Sequence, residues 1–272
     1  QLPQLMVGSE GTMGVLTQIV LKLVPLQTHQ LLLLASFGSV AQACGAVSAI
    51  FRAGVVPSAL EFMERRALEL AADYVGTTVP LGDEVQAQLL IEVDGQHLDA
   101  LYADCATLDG VLQEHGCTEV LFADDQATKD KLWTLRRNLN PAVKQYARAV
   151  KKADTVVPRA SLPDLLAAIH GIATAHGLTA VNYGHAGDGN VHVTLLQEQQ
   201  SDAEWQQQAP VALRAIFEAV AALKGTISGE HGIGCLHKGQ LGLVFSEAAL
   251  EVQRGIKRAF DPKGLLNPGK LF

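Results

Sequence analysis

The chain has 272 residues, of which 48% are hydrophobic, and a formal net charge of −7. This length suits one large domain or two ordinary ones and is sufficient to bury a sizeable core. The acidic balance, without an extended basic stripe, argues against nucleic acid as the main partner. No apolar run approaches the roughly 18 residues that a membrane helix needs.

Strand-like and helix-like patterns alternate along the chain after a glycine-rich segment, Gly8–Gly14, and an apolar strand-like run, Val15–Val24. The predicted strands are Leu31–Phe37, Ser58–Met63, Gln88–Val93, Glu119–Ala123 and Ala153–Val157. The predicted helices are Val40–Ala53, Glu64–Tyr74, Leu98–His115, Trp133–Arg148, Pro163–His176, Trp205–Leu223 and Glu247–Phe260. Pro141 is expected to kink its helix or to mark a second start. The alternation predicts a layered α+β or α/β domain.

The four cysteines show no CxxC spacing, and four in a chain of this length do not form a disulfide scaffold. A reducing cytosol is therefore the expected compartment. Cys235 lies close to His237 in the sequence, which raises the alternative of a cysteine nucleophile. Free cysteine is more often a small buried hydrophobic residue, and we expect that role here.

The segment from His185 to His192 carries the strongest chemical signal. If strands flank Asp188 and Gly189, these two residues form a tight hairpin turn, whose positive φ angles Asp and Gly tolerate. Counting outward from the turn pairs His185 with His192 on one face of the ribbon. Directly opposed Cβ atoms are roughly 4.5–5.5 Å apart, a span that one metal ion can bridge. The alternative is an ordinary polar turn with structural histidines.

A second motif, Gly229–Gly234, contains a glutamate followed by a histidine. Three protein ligands and an open position characterise a catalytic divalent metal site, so Glu230 is predicted as the third ligand. Its neighbour His231 is expected to face away from the ion in an extended chain, because adjacent side chains there point to opposite faces. A glycine-rich bend relaxes that constraint. His231 is the candidate general base.

Four motifs occur here in the same order as in FAD-linked D-2-hydroxyacid dehydrogenases. They are Gly8–Gly14, His185–His192, Gly229–Gly234 and Asp261–Lys270. From first residue to last, the chain resembles the C-terminal part of this family, which includes D-lactate dehydrogenase, D-2-hydroxyglutarate dehydrogenase and the flavin subunit of glycolate oxidase. The resemblance implies an α+β fold, in which helices accompany a ferredoxin-like antiparallel sheet.

The resemblance also implies that most of an FAD-binding domain is missing. Residues 1–27 resemble its closing segment, residues 28–258 the substrate and metal domain, and residues 259–272 a tail that returns to the FAD domain. We therefore expect a fragment, or the mature remainder, of a larger protein, inactive without its FAD domain. The residues expected to contact FAD in the intact enzyme are Gly8, Ser9, Gly11, Thr12, Gly14 and Asn267.

The likeness further implies roles for individual side chains. It makes His185, His192 and Glu230 the ligands of a divalent metal, usually zinc, in agreement with the hairpin prediction. His231 resembles the residue that takes the hydroxyl proton while the α-hydrogen leaves as hydride to the flavin.

Two basic residues resemble substrate contacts of the family. Arg136 resembles the arginine that grips the substrate carboxylate, and Lys152 resembles a second basic contact. The neighbouring residues Arg137 and Lys151 compete with them for these roles.

Two departures from the family pattern concern the choice of substrate. Members that act on 2-hydroxyglutarate have Asn where this chain has Thr194, and Thr where it has Asn140. These two substrate-binding positions therefore lack the residues that contact the distal carboxylate in those members. A smaller substrate, such as D-lactate or glycolate, is at least as well supported as D-2-hydroxyglutarate.

The leading hypothesis is an FAD-dependent oxidation of a D-2-hydroxyacid to its 2-oxoacid. The alternatives are a stand-alone divalent-metal hydrolase that uses the His-His-Glu site, and a non-catalytic module that holds a metal or a small acid. The resemblance implies a quinone, a cytochrome or an electron-transfer flavoprotein as electron acceptor. It implies a cytoplasmic protein or one held peripherally at the inner membrane, and apolar surface left by the FAD domain would favour a homodimer.

Overall fold

A seven-stranded sheet forms the centre of the computed structural model, which describes residues 1–77 and 81–272. The strands are β1 His29–Phe37, β2 Ala59–Glu64, β3 Ala87–Gly95, β4 Cys117–Ala123, β5 Ala149–Val156, β6 Thr179–His185 and β7 Asn190–Gln197. Their order in the sheet is β4-β1-β3-β2-β6-β7-β5, and all six neighbouring pairs are antiparallel.

Helices connect most of these strands, and their starts follow local sequence signals. The helices are α1 Leu2–Met6, α2 Val40–Arg52, α3 Arg65–Val75, α4 Leu98–Glu114, α5 Gln126–Arg137, α6 Leu139–Tyr146, α7 Leu162–Ala175, α8 Asp202–Ala222 and α9 Glu247–Phe260. Ser39 and Ser246 cap α2 and α9 through their side chains, and α8 begins with a capping box between Ser201 and Glu204. Most predicted elements are present, with bounds that differ by a few residues.

Strands and helices alternate along the chain, yet the sheet is antiparallel. The reason is that in units such as β1-α2-β2 the two strands joined by a helix are not neighbours in the sheet, because a third strand lies between them and pairs with both. Strands β1 and β2 both pair with β3, and β3 and β4 both pair with β1. This first half therefore has the β4-β1-β3-β2 order of a ferredoxin-like fold. Strands β5 and β6 likewise both pair with β7. The α+β prediction is confirmed, and the α/β alternative is wrong.

Both faces of the sheet are covered. Helices α2, α4, α7 and α8 pack against one face, and α3, α5 and α6 pack against the other. Along β1 the side chains alternate, with Leu31 and Leu33 in the first core and Leu32 and Leu34 in the second. Burial on both faces explains why this strand is apolar at consecutive positions.

The run Val15–Val24, predicted as strand-like, does not form a strand. Its large apolar side chains are exposed, from 64% for Leu16 to 93% for Val20. A strand satisfies its backbone groups through a ladder, and no strand of the described residues pairs with this run.

The predicted helix Trp133–Arg148 is two helices, α5 and α6, separated by Asn138. The second start expected from Pro141 is confirmed, because this proline lies in the first turn of α6, where its missing N–H has no intrahelical partner to lose. Helix α5 begins seven residues before Trp133, at Gln126, after Asp125, whose carboxylate accepts a hydrogen bond from the Thr128 backbone N–H.

All four cysteines are free thiols. Cys44, Cys105 and Cys117 are buried, as expected of small hydrophobic residues, whereas Cys235 is exposed and the expectation of burial is wrong there.

No helix within residues 1–77 and 81–272 combines the length and apolarity needed to cross a bilayer.

We predict that Leu89→Ala destabilises the protein by about 2–5 kcal/mol, because the lost methyl groups leave a cavity in a fully buried part of β3. Urea unfolding followed by circular dichroism would measure this change. Val211→Ala is the control, because Val211 is 51% exposed on α8 and its loss is expected to stay within about 0.5 kcal/mol. Equal losses in both variants would contradict the burial of β3.

Candidate metal and substrate site

Two histidines predicted as ligands lie on one face of the sheet but are not directly opposed. The β6–β7 ladder pairs Tyr183 with His192, so the predicted pairing of His185 with His192 is wrong. The chain turns through a 3-10 segment, Ala186–Asp188, before Gly189 at φ +73°, and not through a two-residue turn. Because side chains alternate with a period of two, the displacement by two residues keeps both rings on one face. Their centroids are 5.3 Å apart.

Glu230, on the loop of residues 229–234, approaches both rings. Its Oε1 atom is 3.6 Å from His185 Nε2 and 3.6 Å from His192 Nε2. One potential ligand atom from each of the three residues lies within 4.8 Å of the other two. Tetrahedral zinc with bonds of about 2.0–2.1 Å places its ligand atoms roughly 3.3 Å apart. The three side chains therefore fit a single divalent ion.

A buried carboxylate, Asp154 on β5, fixes this loop and was not identified from the sequence. Its Oδ2 atom accepts hydrogen bonds of 2.7–2.8 Å from the backbone N–H groups of residues 229–231. Its Oδ1 atom accepts a bond from Asn190 Nδ2 at 2.7 Å and lies 3.4 Å from His192 Nδ1. Burial alone would raise the pKa of Asp154, but the contacts with His192, Asn190 and the backbone N–H groups hold it well below its usual range.

His231 turns toward its neighbour, contrary to the expectation for an extended chain. Its Nε2 atom is 3.7 Å from Glu230 Oε1, and its ring stacks on His192 with a centroid distance of 5.0 Å. The loop bends here, and Gly232 has a φ of +81°. Asp154, His192 and His231 form a second group with metal-ligand spacing. The hydrogen bonds that Asp154 already accepts favour the group that contains Glu230.

Glu61 is a second buried carboxylate that the sequence analysis missed. It lies on β2, opposite His185 in the β2–β6 ladder, and its Oε1 atom accepts a hydrogen bond from His185 Nδ1 at 2.8 Å. Its Oε2 atom accepts two bonds from Arg136, at 2.9 Å and 2.6 Å. Burial raises the pKa of Glu61, but the bond from His185 and the charge of Arg136 outweigh burial and lower it. An acidic residue between two apolar ones, Leu60 and Phe62, was the available signal.

A pocket of about 210 Å³ opens beside the histidines. The residues that line it are Arg136, Asn140, Lys152, Ala153, Tyr183, His185, His192, Val193, Thr194, Glu230 and His231. All predicted substrate-binding side chains are thus in one pocket with the candidate metal ligands. Lys152 Nζ donates to Asn140 Oδ1, and burial, together with the charge of Lys144, lowers the pKa of Lys152. A pocket of this kind can hold a small anion against a metal ion.

In each pair of competing basic residues, only one member lines the pocket. Arg137 does not line this pocket, and its guanidinium lies 5.7 Å from the centre of the Trp133 ring. Lys151 pairs with Leu195 and so points to the opposite face of β5 from Lys152. Arg136 and Lys152 are the two that reach the pocket.

The N-terminal segment and the C-terminal tail meet at the same loop. The Glu10 carboxylate accepts hydrogen bonds from the backbone N–H groups of Ile233 at 2.6 Å and Gly234 at 2.8 Å. Asn267 Nδ2 donates to the Glu10 carbonyl. The segments predicted to contact FAD therefore adjoin the loop that carries the third candidate ligand. The predicted cofactor residues in these segments are Gly8, Ser9, Gly11, Thr12, Gly14 and Asn267.

Comparison with known proteins identifies the family of this chain. The family described as FAD linked oxidases, C-terminal domain, matches residues 26–271. The chain is 36% identical over 266 residues to glycolate oxidase subunit GlcD of Escherichia coli, a match that covers 98% of this chain and 52% of that protein. It is 30% identical over 271 residues to a D-lactate dehydrogenase of Anaerostipes hadrus, a match that covers 98% of this chain and 57% of that protein. The chain spans about half the length of the curated relatives it matches.

Solved structures share the fold at low identity. A p-cresol methylhydroxylase with substrate bound has a TM-score of 0.69 at 13% identity, over 91% of this chain and 53% of that one. A 4-ethylphenol oxidase from Gulosibacter chungangensis has a TM-score of 0.66 at 15% identity, over 91% of this chain and 54% of that one. These likenesses concern the fold alone, whereas the family match extends over most of the sequence. The chain belongs to the FAD linked oxidases and corresponds to their C-terminal domain.

Proposed function

We propose that this chain is the substrate- and metal-binding part of an FAD-dependent oxidoreductase that oxidises a D-2-hydroxyacid to the 2-oxoacid. The observation that carries this proposal is a single pocket in which His185, His192 and Glu230 lie beside Arg136 and Lys152. A metal triad next to two cations suits a substrate with a hydroxyl and a carboxylate on neighbouring carbons. Relatives named glycolate oxidase and D-lactate dehydrogenase support this substrate class, because glycolate and D-lactate are 2-hydroxyacids.

His185, His192 and Glu230 would hold a divalent ion, and two imidazoles with one carboxylate are a donor set that zinc accepts. A fourth position would stay open for the substrate. When bound, such an ion supplies a Lewis acid that lowers the pKa of the substrate hydroxyl and orients it.

Arg136 and Lys152 would hold the substrate carboxylate, since both are basic residues that line the pocket together with the candidate metal ligands. Thr194 and Asn140 add a hydroxyl and an amide to the lining. The volume of about 210 Å³ accommodates an acid of the glycolate or D-lactate size, with D-2-hydroxyglutarate as the larger candidate.

His231 would accept the hydroxyl proton at Nε2, the ring atom close to Glu230. Stacking on His192 and the approach of Asp154 to the other ring nitrogen, at 3.9 Å, hold the imidazole in place. FAD, when bound, supplies the acceptor for the hydride that leaves the α-carbon. The electrons would then pass to a quinone, a cytochrome or an electron-transfer flavoprotein.

The FAD side of the reaction would involve residues 1–27 and 259–272, with residues 28–258 forming the substrate domain. The contacts of Glu10 with Ile233, Gly234 and Asn267 support this division, because they connect both terminal segments to the loop of the metal site. A stand-alone hydrolase would leave these contacts without a catalytic purpose.

We predict that the complete flavoprotein reduces an artificial dye with D-lactate or glycolate faster than with L-lactate, because the pocket fixes the carboxylate and hydroxyl and so selects one face of the α-carbon. Steady-state dye reduction and bleaching of the flavin absorbance would measure this preference. Equal rates for both lactate enantiomers, or no bleaching with glycolate, D-lactate or D-2-hydroxyglutarate, would contradict the proposed reaction. Ester hydrolysis without flavin would instead favour the hydrolase.

We predict about one zinc or similar divalent ion per purified chain, and its loss in His192→Ala, because this change removes one of three ligands. Elemental analysis after brief dialysis against a weak chelator would measure the content. His176→Ala is the matched control, since His176 bonds to Gln208 away from the site and its loss should leave the metal content unchanged. Full metal content in His192→Ala would count against the triad.

We predict that His231→Gln lowers kcat of the complete flavoprotein by roughly 10²–10⁴-fold, because the amide cannot take the hydroxyl proton. Metal content should remain that of the wild type. Single-turnover flavin reduction would measure the rate, with His176→Gln as the control expected to retain it. An unchanged rate in His231→Gln would remove this residue from the proton transfer.

A further inference from the structure

Glu61 joins the two halves of the proposed site through one carboxylate. Its side chain is buried on β2, with only 6% of the residue exposed. One oxygen accepts a hydrogen bond from His185, and the other accepts two from Arg136. The hydrogen bonds described for this side chain thus go to one candidate metal ligand and one candidate substrate-binding residue.

The bond to His185 fixes the tautomer of that ring. An ionised carboxylate only accepts hydrogen bonds, so the 2.8 Å contact requires the proton on His185 Nδ1. The lone pair then lies on Nε2, the atom 3.6 Å from Glu230 Oε1. The opposite tautomer would present an N–H group to the ion. A carboxylate behind a ligating histidine also increases the basicity of the ligand.

The bonds to Arg136 fix the guanidinium in a similar way. Its Nε and Nη2 atoms both donate to Glu61 Oε2, and only 11% of the arginine side chain is exposed. The planar fork therefore has a defined orientation, and its remaining N–H groups can bind a second carboxylate. Glu61 stands directly opposite His185 in the central part of the sheet, so its backbone is held by ladders on both sides.

We propose that Glu61 is a positioning residue that orients the metal ligand His185 and the substrate-binding Arg136 together. This inference rests on the function proposed above. The alternative is that Glu61 only compensates the charge of a largely buried arginine, in which case its loss would reduce stability without a specific effect on metal binding.

Glu64, on the same strand, is a matched comparison. It is buried to a similar extent, at 4% exposure, and it accepts hydrogen bonds from Asn182 and His170. It lies an odd number of residues from Glu61 and therefore on the opposite face of β2. Glu64→Gln thus tests the cost of altering a buried carboxylate in this strand away from the proposed site.

Glu61→Gln preserves size but leaves one acceptor oxygen where two were used. If the amide oxygen stays with Arg136, the NH₂ group faces His185 Nδ1 and moves the ring proton to Nε2. If the oxygen stays with His185, the NH₂ group faces the guanidinium donors. Either arrangement disturbs one of the two partners.

The experiment is a competition titration of the metal-free 272-residue chain with Zn²⁺ and a chromophoric chelator, together with thermal unfolding of each metal-free form. Wild type, Glu61→Gln, Glu64→Gln and His192→Ala would be compared. We expect Glu61→Gln to bind Zn²⁺ roughly 10–100-fold more weakly than wild type. Glu64→Gln should bind Zn²⁺ with an affinity within about twofold of wild type. We expect this result even if the unfolding temperature of Glu64→Gln falls as much as that of Glu61→Gln.

Zn²⁺ affinity in Glu61→Gln equal to that in wild type and Glu64→Gln would overturn the inference and leave the metal site intact. Wild-type protein that binds no Zn²⁺, or His192→Ala that binds it equally, would overturn the proposed metal site and the inference with it. If Glu61→Gln does not fold, Glu61→Asp takes its place, because it keeps the charge and withdraws both oxygens by one methylene. Several-fold weaker binding is expected there, and wild-type affinity would again overturn the inference.

Discussion

Two carboxylates removed from water, Glu61 and Asp154, impose order on the candidate site. A buried charge is costly unless hydrogen-bond donors surround it, and both residues satisfy this need locally. Glu61 uses an imidazole and a guanidinium, and Asp154 uses an amide side chain and three successive backbone N–H groups. Each also stands behind one of the two histidines, His185 or His192, whose Nε2 atoms both face the same glutamate oxygen. The positions of the two histidines and of the loop that carries Glu230 therefore follow from the hydrogen bonds that the two buried carboxylates need.

The sheet brings these groups together through its alternation of side chains. The cross-strand register places Glu61 opposite His185, and Asp154 opposite His192, on the face that α3, α5 and α6 cover. Apolar side chains fill most of that face, and polar ones replace them beside α5 and α6, where Arg136 reaches in. The site is therefore a continuation of the second core, and the strands that hold it are also the ones that stabilise the fold.

Much of this architecture could be predicted from the sequence, because apolar periodicity follows burial directly. The face shared by His185 and His192 could also be predicted, but their register could not, since it depends on a 3-10 turn that the Asp-Gly pair does not specify. Glu61 and Asp154 were missed because an acidic residue in a strand does not reveal its partner. The choice of Arg136 over its neighbour likewise needed the position of α5, whose true start lies before the predicted one.

The Glu10 carboxylate binds the end of the loop of residues 229–234 through the backbone N–H groups of Ile233 and Gly234. Hydrogen bonds hold that loop at two places, the carboxylate of Asp154 on the sheet and the carboxylate of Glu10 on the N-terminal segment. Glu230 and His231 bind Asp154 through their backbone N–H groups, and the residues that bind Glu10 follow within three positions. The positions of Glu230 and His231 beside the two histidines therefore depend on hydrogen bonds from two separate parts of the chain, the sheet and the N-terminal segment.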